Sequence, residues 1–166
     1  RDLLVIVLMW GYGLRISEVL NLKKSNLSSS DIIIIGKGSK QRLIPISEET
    51  LSLLNKLVGV SPHDYSESNF VFLGKRGKNL RPEIIQRMIR NLRGELMLPD
   101  KTTPHSLRHT FATNLLEEMV DLRTIQELLG HSSLSTTQKY TRVSFDNLKI
   151  TIQKIHDLAN RISDAL

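Results

Sequence analysis

Four consecutive isoleucines, Ile32 to Ile35, followed by Gly36-Lys37-Gly38-Ser39-Lys40, constrain the fold more than any other stretch of this chain. β-Branched side chains are stiff at χ1 and pack well on a pleated surface, so Asp31–Ile35 is expected to be a buried or half-buried strand. The Gly- and Lys-rich segment after it has the composition of a hairpin turn. Arg42 to Ile46 alternates well enough to be the returning strand, and Pro45, with no N–H to donate, suggests the outer edge of the sheet. Phe70 to Leu73 supplies a third short strand.

Helical patterns fill most of what remains. Asp2 to Trp10 and Arg15 to Leu22 read as two helices separated by Gly11 and Gly13, a tight turn that presents Arg15 at the start of the second. Glu48 to Leu57 follows the hairpin. Arg81 to Leu96 is opened by Pro82, and Pro104 to about Met119 is capped by Thr102 or Thr103. Asp121 opens a further helix with Leu122, Ile125 and Leu129 on one stripe, closed by Gly130. Leu134 to Tyr140 is a short segment, and Asp146 to about Ile162 is a terminal helix. The expected class is mainly α with a small three-stranded antiparallel sheet (α+β), as one domain over residues 1–166.

The 166 residues suffice for one real core. The longest apolar run, Leu3 to Trp10, is far too short to cross a bilayer, so no membrane partner is expected. With no cysteine, disulfides, thiolate metal sites and cysteine nucleophiles are excluded, which is compatible with a cytoplasmic protein. The net charge of +6 favours a polyanionic partner only modestly.

His105-Ser106-Leu107-Arg108-His109 is the densest cluster of candidate chemistry, and it admits three readings. His105 and His109 have the i,i+4 spacing of metal ligands, and His131 could be a third. However, Ser106 stands where a zinc protease needs glutamate, and Arg108 would crowd a cation. His109, deeper in the helix, reads as a packed polar group. His105 and Arg108 suit an anion: the first sits where helix N–H groups are free, and the second carries a planar fork one turn on.

Separated motifs then favour the anion. The stretch continues to Thr113 and is followed by Leu128-Leu129-Gly130-His131-Ser132-Ser133 and Thr136-Thr137-Gln138-Lys139-Tyr140. Upstream lie Gly13-Leu14-Arg15-Ile16-Ser17-Glu18 and Ile35-Gly36-Lys37-Gly38-Ser39-Lys40. In order and spacing, essentially end to end, these resemble the catalytic domain of the tyrosine recombinases, the phage-integrase family, and most closely its Xer-type site-specific members. The resemblance implies that Arg15 and Arg108 clamp a scissile phosphate and that Lys37 is the general acid. It implies that His105 and His131 bond the phosphate and assist proton transfer, and that Tyr140 is the nucleophile. Glu18 and His109 are expected to be structural, Glu18 by orienting a neighbouring group.

Those residue types suit phosphodiester exchange on elementary grounds. Guanidiniums stay charged at any working pH, a lysine can be tuned down to act as an acid, and a tyrosine is a poor nucleophile until its surroundings help it. No metal or nucleotide cofactor is required. Taken singly, Tyr140 fits a surface tyrosine, Lys37 a solvated hairpin tip and Arg15 an i,i+3 partner of Glu18; their joint order outweighs these readings. Further DNA contacts are expected from the hairpin, at Lys40 and Arg42, and from Lys78, Arg81, Arg87 and Arg90 on and before one helix.

The resemblance also implies double-stranded DNA as partner and self-association into a tetrameric synaptic complex, a second recombinase being one option. An amino-terminal core-binding domain is expected to be absent from this chain. Residues 146–166 form a helix with an apolar stripe at Leu148, Ile152, Ile155 and Ile162, which either folds onto its own core or docks on a neighbouring protomer. Two rival functions are relaxation of the type IB topoisomerase kind and a non-catalytic DNA-binding module.

Overall fold

Helix α1, Asp2–Gly11, buries Val5, Leu8 and Met9 at i, i+3 and i+4 spacing and packs mainly on α5, Pro104–Glu117, through Phe111 and Leu115. This pair is the spine of the computed structural model, which describes residues 1–27, 31–36, 41–63, 69–130 and 147–154. The helix α2, Ile16–Leu20, follows after the Gly11-Tyr12-Gly13 turn. A 3-10 turn, Lys24–Asn26, leads to strands β1, Asp31–Ile35, and β2, Gln41–Pro45. Then come α3, Glu48–Gly59, α4, Pro82–Glu95, α5, and α6, Leu122–Leu129. Residues 147–154 are helical as well. Among the described residues, no helix is long and apolar enough to cross a membrane.

The local chemistry of the helix ends follows the sequence closely. Ser47 caps α3 by accepting from the Thr50 amide at 3.2 Å, and Thr103 and Ser106 form a reciprocal capping box on α5. Asp121 caps α6 through Thr124, whose hydroxyl and amide hold the Asp121 carboxyl below its ordinary value. Gly130 closes α6 in the left-handed region at φ +64°. Tyr12 is buried and its hydroxyl joins Ser47 and Thr50, which ties the end of α1 to the start of α3.

The expected three-stranded sheet is corrected to two strands, β1 and β2, antiparallel, with Ile34 opposite Arg42 and Ile35 opposite Gln41. Val71, Phe72 and Leu73 are buried as a strand would be, but their backbone bonds are spent elsewhere. The Val71 amide donates to Leu22, and the Phe72 carbonyl accepts from Leu80. Single bridges to Lys23 and Asn79 complete the pairing. A short apolar run therefore satisfies its main chain against loops on both sides and never joins the hairpin, a difference in hydrogen-bond partner that side-chain patterning does not encode.

The hairpin is well seated at its base and less so toward its turn. Ile32, Ile34, Ile44 and Ile46 are in the core, whereas Ile35 and Leu43 are 49% and 42% exposed. Of the terminal stripe, Leu148 and Ile152 are buried in the chain's own core; Ile155 and Ile162 lie outside the described residues.

Candidate active site

The turn between α1 and α2 builds the first half of the site. Gly13 has φ +64°, and a Cβ there would lie 2.3 Å from Cδ1 of Phe111, so only glycine allows this close approach of the turn to α5. The turn releases Arg15 as the N-cap of α2. Glu18, three residues on, reaches back to accept from the Arg15 amide at 2.8 Å and from its Nη1 at 2.9 Å. The i,i+3 pairing anticipated from the sequence is thus present, as part of a larger cluster.

Two more guanidiniums arrive from distant parts of the chain. Arg42, on β2, forks onto Glu18 with Nη1 to Oε1 at 3.0 Å and Nη2 to Oε2 at 2.9 Å, while its Nε donates to the Leu128 carbonyl at 2.6 Å. Arg108, on α5, donates from Nη1 to the Gly13 carbonyl at 2.6 Å and from Nη2 to the Leu129 carbonyl, with Glu18 Oε2 3.6 Å away. The last carbonyls of α6, which have no partner within a helix, are thereby met by positive charge at the negative end of the helix dipole.

Three cations surround one buried carboxylate, leaving the cluster two charges positive. Burial alone would raise the Glu18 carboxyl, but the bonds and charge of Arg42 and then of Arg15 outweigh it and hold the group below its ordinary value. Burial, helped by the charge of Arg15, pulls the Arg108 guanidinium down to about 10 against the pull of Glu18, still far enough above neutrality to keep it charged. Accessibility divides the three: the Arg15 side chain is 43% exposed, Arg42 11% and Arg108 8%. Arg15 is the cation that faces solvent, and Arg108 stands behind it with both terminal nitrogens already bonded to main chain. Each of those nitrogens retains a second hydrogen for a ligand.

His105 is exposed at the second position of α5, one turn before Arg108. His109 is also exposed, contrary to the expected packed role; it follows Arg108 directly, and a 100° step around the helix carries it away from the face that meets α1. Lys37, Lys40, His131 and Tyr140 lie outside the described residues, as does the segment Leu134 to Tyr140.

Arg42, expected to contact DNA, has its guanidinium bonded to Glu18 and to the Leu128 carbonyl of α6. The signal was available: Arg42 is in phase with Ile44 and Ile46, which places it on the inward face of β2. Lys78, Arg81, Arg87 and Arg90 are exposed and make no ion pair among the described residues. Ile85 and Ile89 bury the opposite side of α4.

An arginine cluster at a glycine turn, backed by a helical pair and flanked by a hairpin, defines a class. The model of the phage integrase family matches residues 1–147, and the chain belongs to that family. It is 45% identical over 163 residues to the tyrosine recombinase XerC of Nitrobacter winogradskyi, covering 96% of this chain and 51% of that protein. It is 47% identical over 150 residues to the XerC of Rickettsia typhi, covering 90% and 49%. The chain therefore spans about half the length of these relatives.

Solved structures agree. The XerA recombinase superposes with a TM-score of 0.66 at 33% identity, over 90% of this chain and 56% of that one. The XerH site-specific recombinase, bound to its difH substrate in a pre-cleavage complex, gives 0.70 at 28% identity, over 89% and 45%.

Proposed function

We propose that the chain is the catalytic part of a site-specific recombinase that cleaves and rejoins duplex DNA through a 3′-phosphotyrosyl intermediate. The observation that carries this reading is the convergence of Arg15, Arg42 and Arg108 on Glu18, in a chain of the phage integrase family. A site of excess positive charge, set in place before any ligand arrives, is what a phosphoryl group gaining charge in its transition state requires.

In the proposed reaction the Tyr140 hydroxyl attacks phosphorus in line, giving up its proton, and the P–O5′ bond breaks. Lys37 supplies the proton taken up by the departing 5′ oxygen. Arg15 and Arg108 hold the non-bridging oxygens, with His105 and His131 bonding the phosphate and assisting proton movement. Each preorganised donor contributes on the order of 3 kcal/mol in the transition state. The tyrosyl ester conserves the broken bond, so a free 5′ hydroxyl can reverse the step on the same or another strand without ATP. The fixed guanidiniums carry the electrostatic load that a metal carries in other phosphoryl transfers.

The wider assignment is double-stranded DNA as partner, in the cytoplasm, with four protomers in a synaptic complex. Lys40, Lys78, Arg81, Arg87 and Arg90 neutralise phosphates beyond the scissile one. The chain grips the duplex from one side. The expected C-terminal helix, residues 146–166, is assigned to docking on a neighbouring protomer, while Leu148 and Ile152 seat its base on the chain's own core.

A nicked suicide duplex, with a phosphodiester break just beyond the scissile phosphate, tests this in EDTA. The intact chain is expected to form a denaturation-resistant adduct and Tyr140→Phe none. A DNA-bound intact chain without adduct overturns the catalytic reading, and an adduct with Tyr140→Phe reassigns the nucleophile. Relaxation of supercoiled DNA by a monomer without site preference would point to topoisomerase-like action instead.

A further inference from the structure

Arg42 has every donor group directed inward, and the pattern of its bonds joins three segments that the reaction needs in register. Its fork grips Glu18, the residue that holds Arg15. Its Nε holds the carbonyl of Leu128, in the last turn of α6, two residues before Gly130 and three before His131. Its own backbone belongs to the rung Ile34–Arg42, next to the last of the hairpin, and Lys37 falls in the sequence between the two strands.

The need for such an anchor follows from the hairpin itself. A two-stranded ribbon is marginal without packing, and outward of the Ile34–Arg42 rung both Ile35 and Gln41 are exposed. Arg42 is therefore the polar tie that fixes the turn end of β2 to the protein body. Gly130 is shaped around it: a Cβ there would stand 2.9 Å from Nη1 of Arg42.

We propose that Arg42 is a positioning residue for protonation of the leaving oxygen: it holds the hairpin stem against α6 and Glu18 and does not touch DNA. This rests on the recombinase reading above and assigns Arg42 a task distinct from the phosphate clamp. The guanidinium is required because a lysine keeps the charge but cannot fork onto a carboxylate and reach a carbonyl at the same time.

The experiment uses Arg42→Lys and a nicked duplex selected from a random-sequence library by retention on the unmodified chain. Two versions of that duplex are compared, one with the ordinary 5′ oxygen leaving group and one with sulfur in its place. A thiolate leaves without a proton, since its conjugate acid titrates near 8.5, so the sulfur duplex bypasses the acid step. Arg42→Lys is expected to slow adduct formation at least about tenfold on the oxygen duplex, a part of the roughly 10²-fold or more that general acids supply. On the sulfur duplex the defect should be much smaller, what remains being the share that passes through Glu18 to Arg15. Affinity and its salt dependence should stay unchanged, because no phosphate contact is lost.

An equal defect on both duplexes would show that Arg42 acts through the clamp or the fold alone, and would overturn the proposal. So would a shallower salt dependence, the signature of a DNA contact, or an unchanged rate on oxygen. Should Arg42→Lys lose its cooperative thermal transition, Gly130→Ala, which crowds the guanidinium without removing it, goes through the same comparison with the same deciding outcomes. If the unmodified chain forms no adduct on either duplex, the recombinase reading itself has failed.

Discussion

Two arginine-rich regions of this molecule are built in opposite ways. Around Glu18, three guanidiniums are held by a buried carboxylate and by main-chain carbonyls of Gly13, Leu128 and Leu129. Along α4 and the turn before it, Lys78, Arg81, Arg87 and Arg90 project into solvent without an ion-pair partner among the described residues. The first arrangement fixes positive charge in place before a ligand arrives. The second can follow a polyanion's contour but must lose side-chain freedom to do so. The two regions differ in whether a buried counter-charge fixes their cations, which charge count alone does not reveal.

The most severe way to break the contrast is to remove that counter-charge. Glu18→Gln leaves three cations around a neutral amide and is expected to cost about 3–5 kcal/mol of stability, read as a lower midpoint in urea unfolding. Because the Glu18 carboxyl titrates below its ordinary value of 4.5, its contribution is fully present above that pH and is lost as pH falls through the folded value. Acid titration of the melting temperature should therefore show a steeper loss below about pH 4.5 for the intact chain than for Glu18→Gln. Parallel curves would mean that the carboxylate is not held by its arginines.

Next in size is Arg15→Ala, which removes the accessible cation and leaves the buried pair in place. Adduct formation should fall by about 10²–10³-fold, with a stability change of less than about 1 kcal/mol because the lost ion pair is part-exposed. The smallest effects belong to α4. Arg87→Ala and Arg90→Ala should each weaken DNA binding and lower the log–log salt slope by about 0.9 per phosphate contact, while adduct formation at saturating DNA is unchanged. If either variant lost cleavage at saturation, α4 would have to be counted with the reacting groups.

Much of this was legible in the chain. The caps at Thr103 and Asp121, the left-handed Gly130 and the proline that opens α4 are local choices, and each acts within a few residues of itself. The motif order that marks the family was equally plain. The third strand failed because it depended on partners far away in sequence, and the bonds of Arg42 to Glu18 and Leu128 were missed for the same reason. Phe70–Leu73 has strand chemistry, yet its main chain bonds to Leu22 and Leu80. Arg42 was assigned to DNA by its charge, although its parity with Ile44 and Ile46 already turned it inward.

The sequence by itself determined the mainly helical class, the caps of α5 and α6, the pairing of β1 with β2, and the residue types from which a phosphoryl-transfer site is proposed. These follow from periodicity and from short-range bonding. Tertiary structure alone decided that Arg15, Arg42 and Arg108 share one carboxylate, which of them faces solvent, and where the ends of α6 find their partners. Such facts depend on desolvation and on contacts across the fold: a guanidinium reads the same in sequence whether it meets water or a buried glutamate, and only packing settles which.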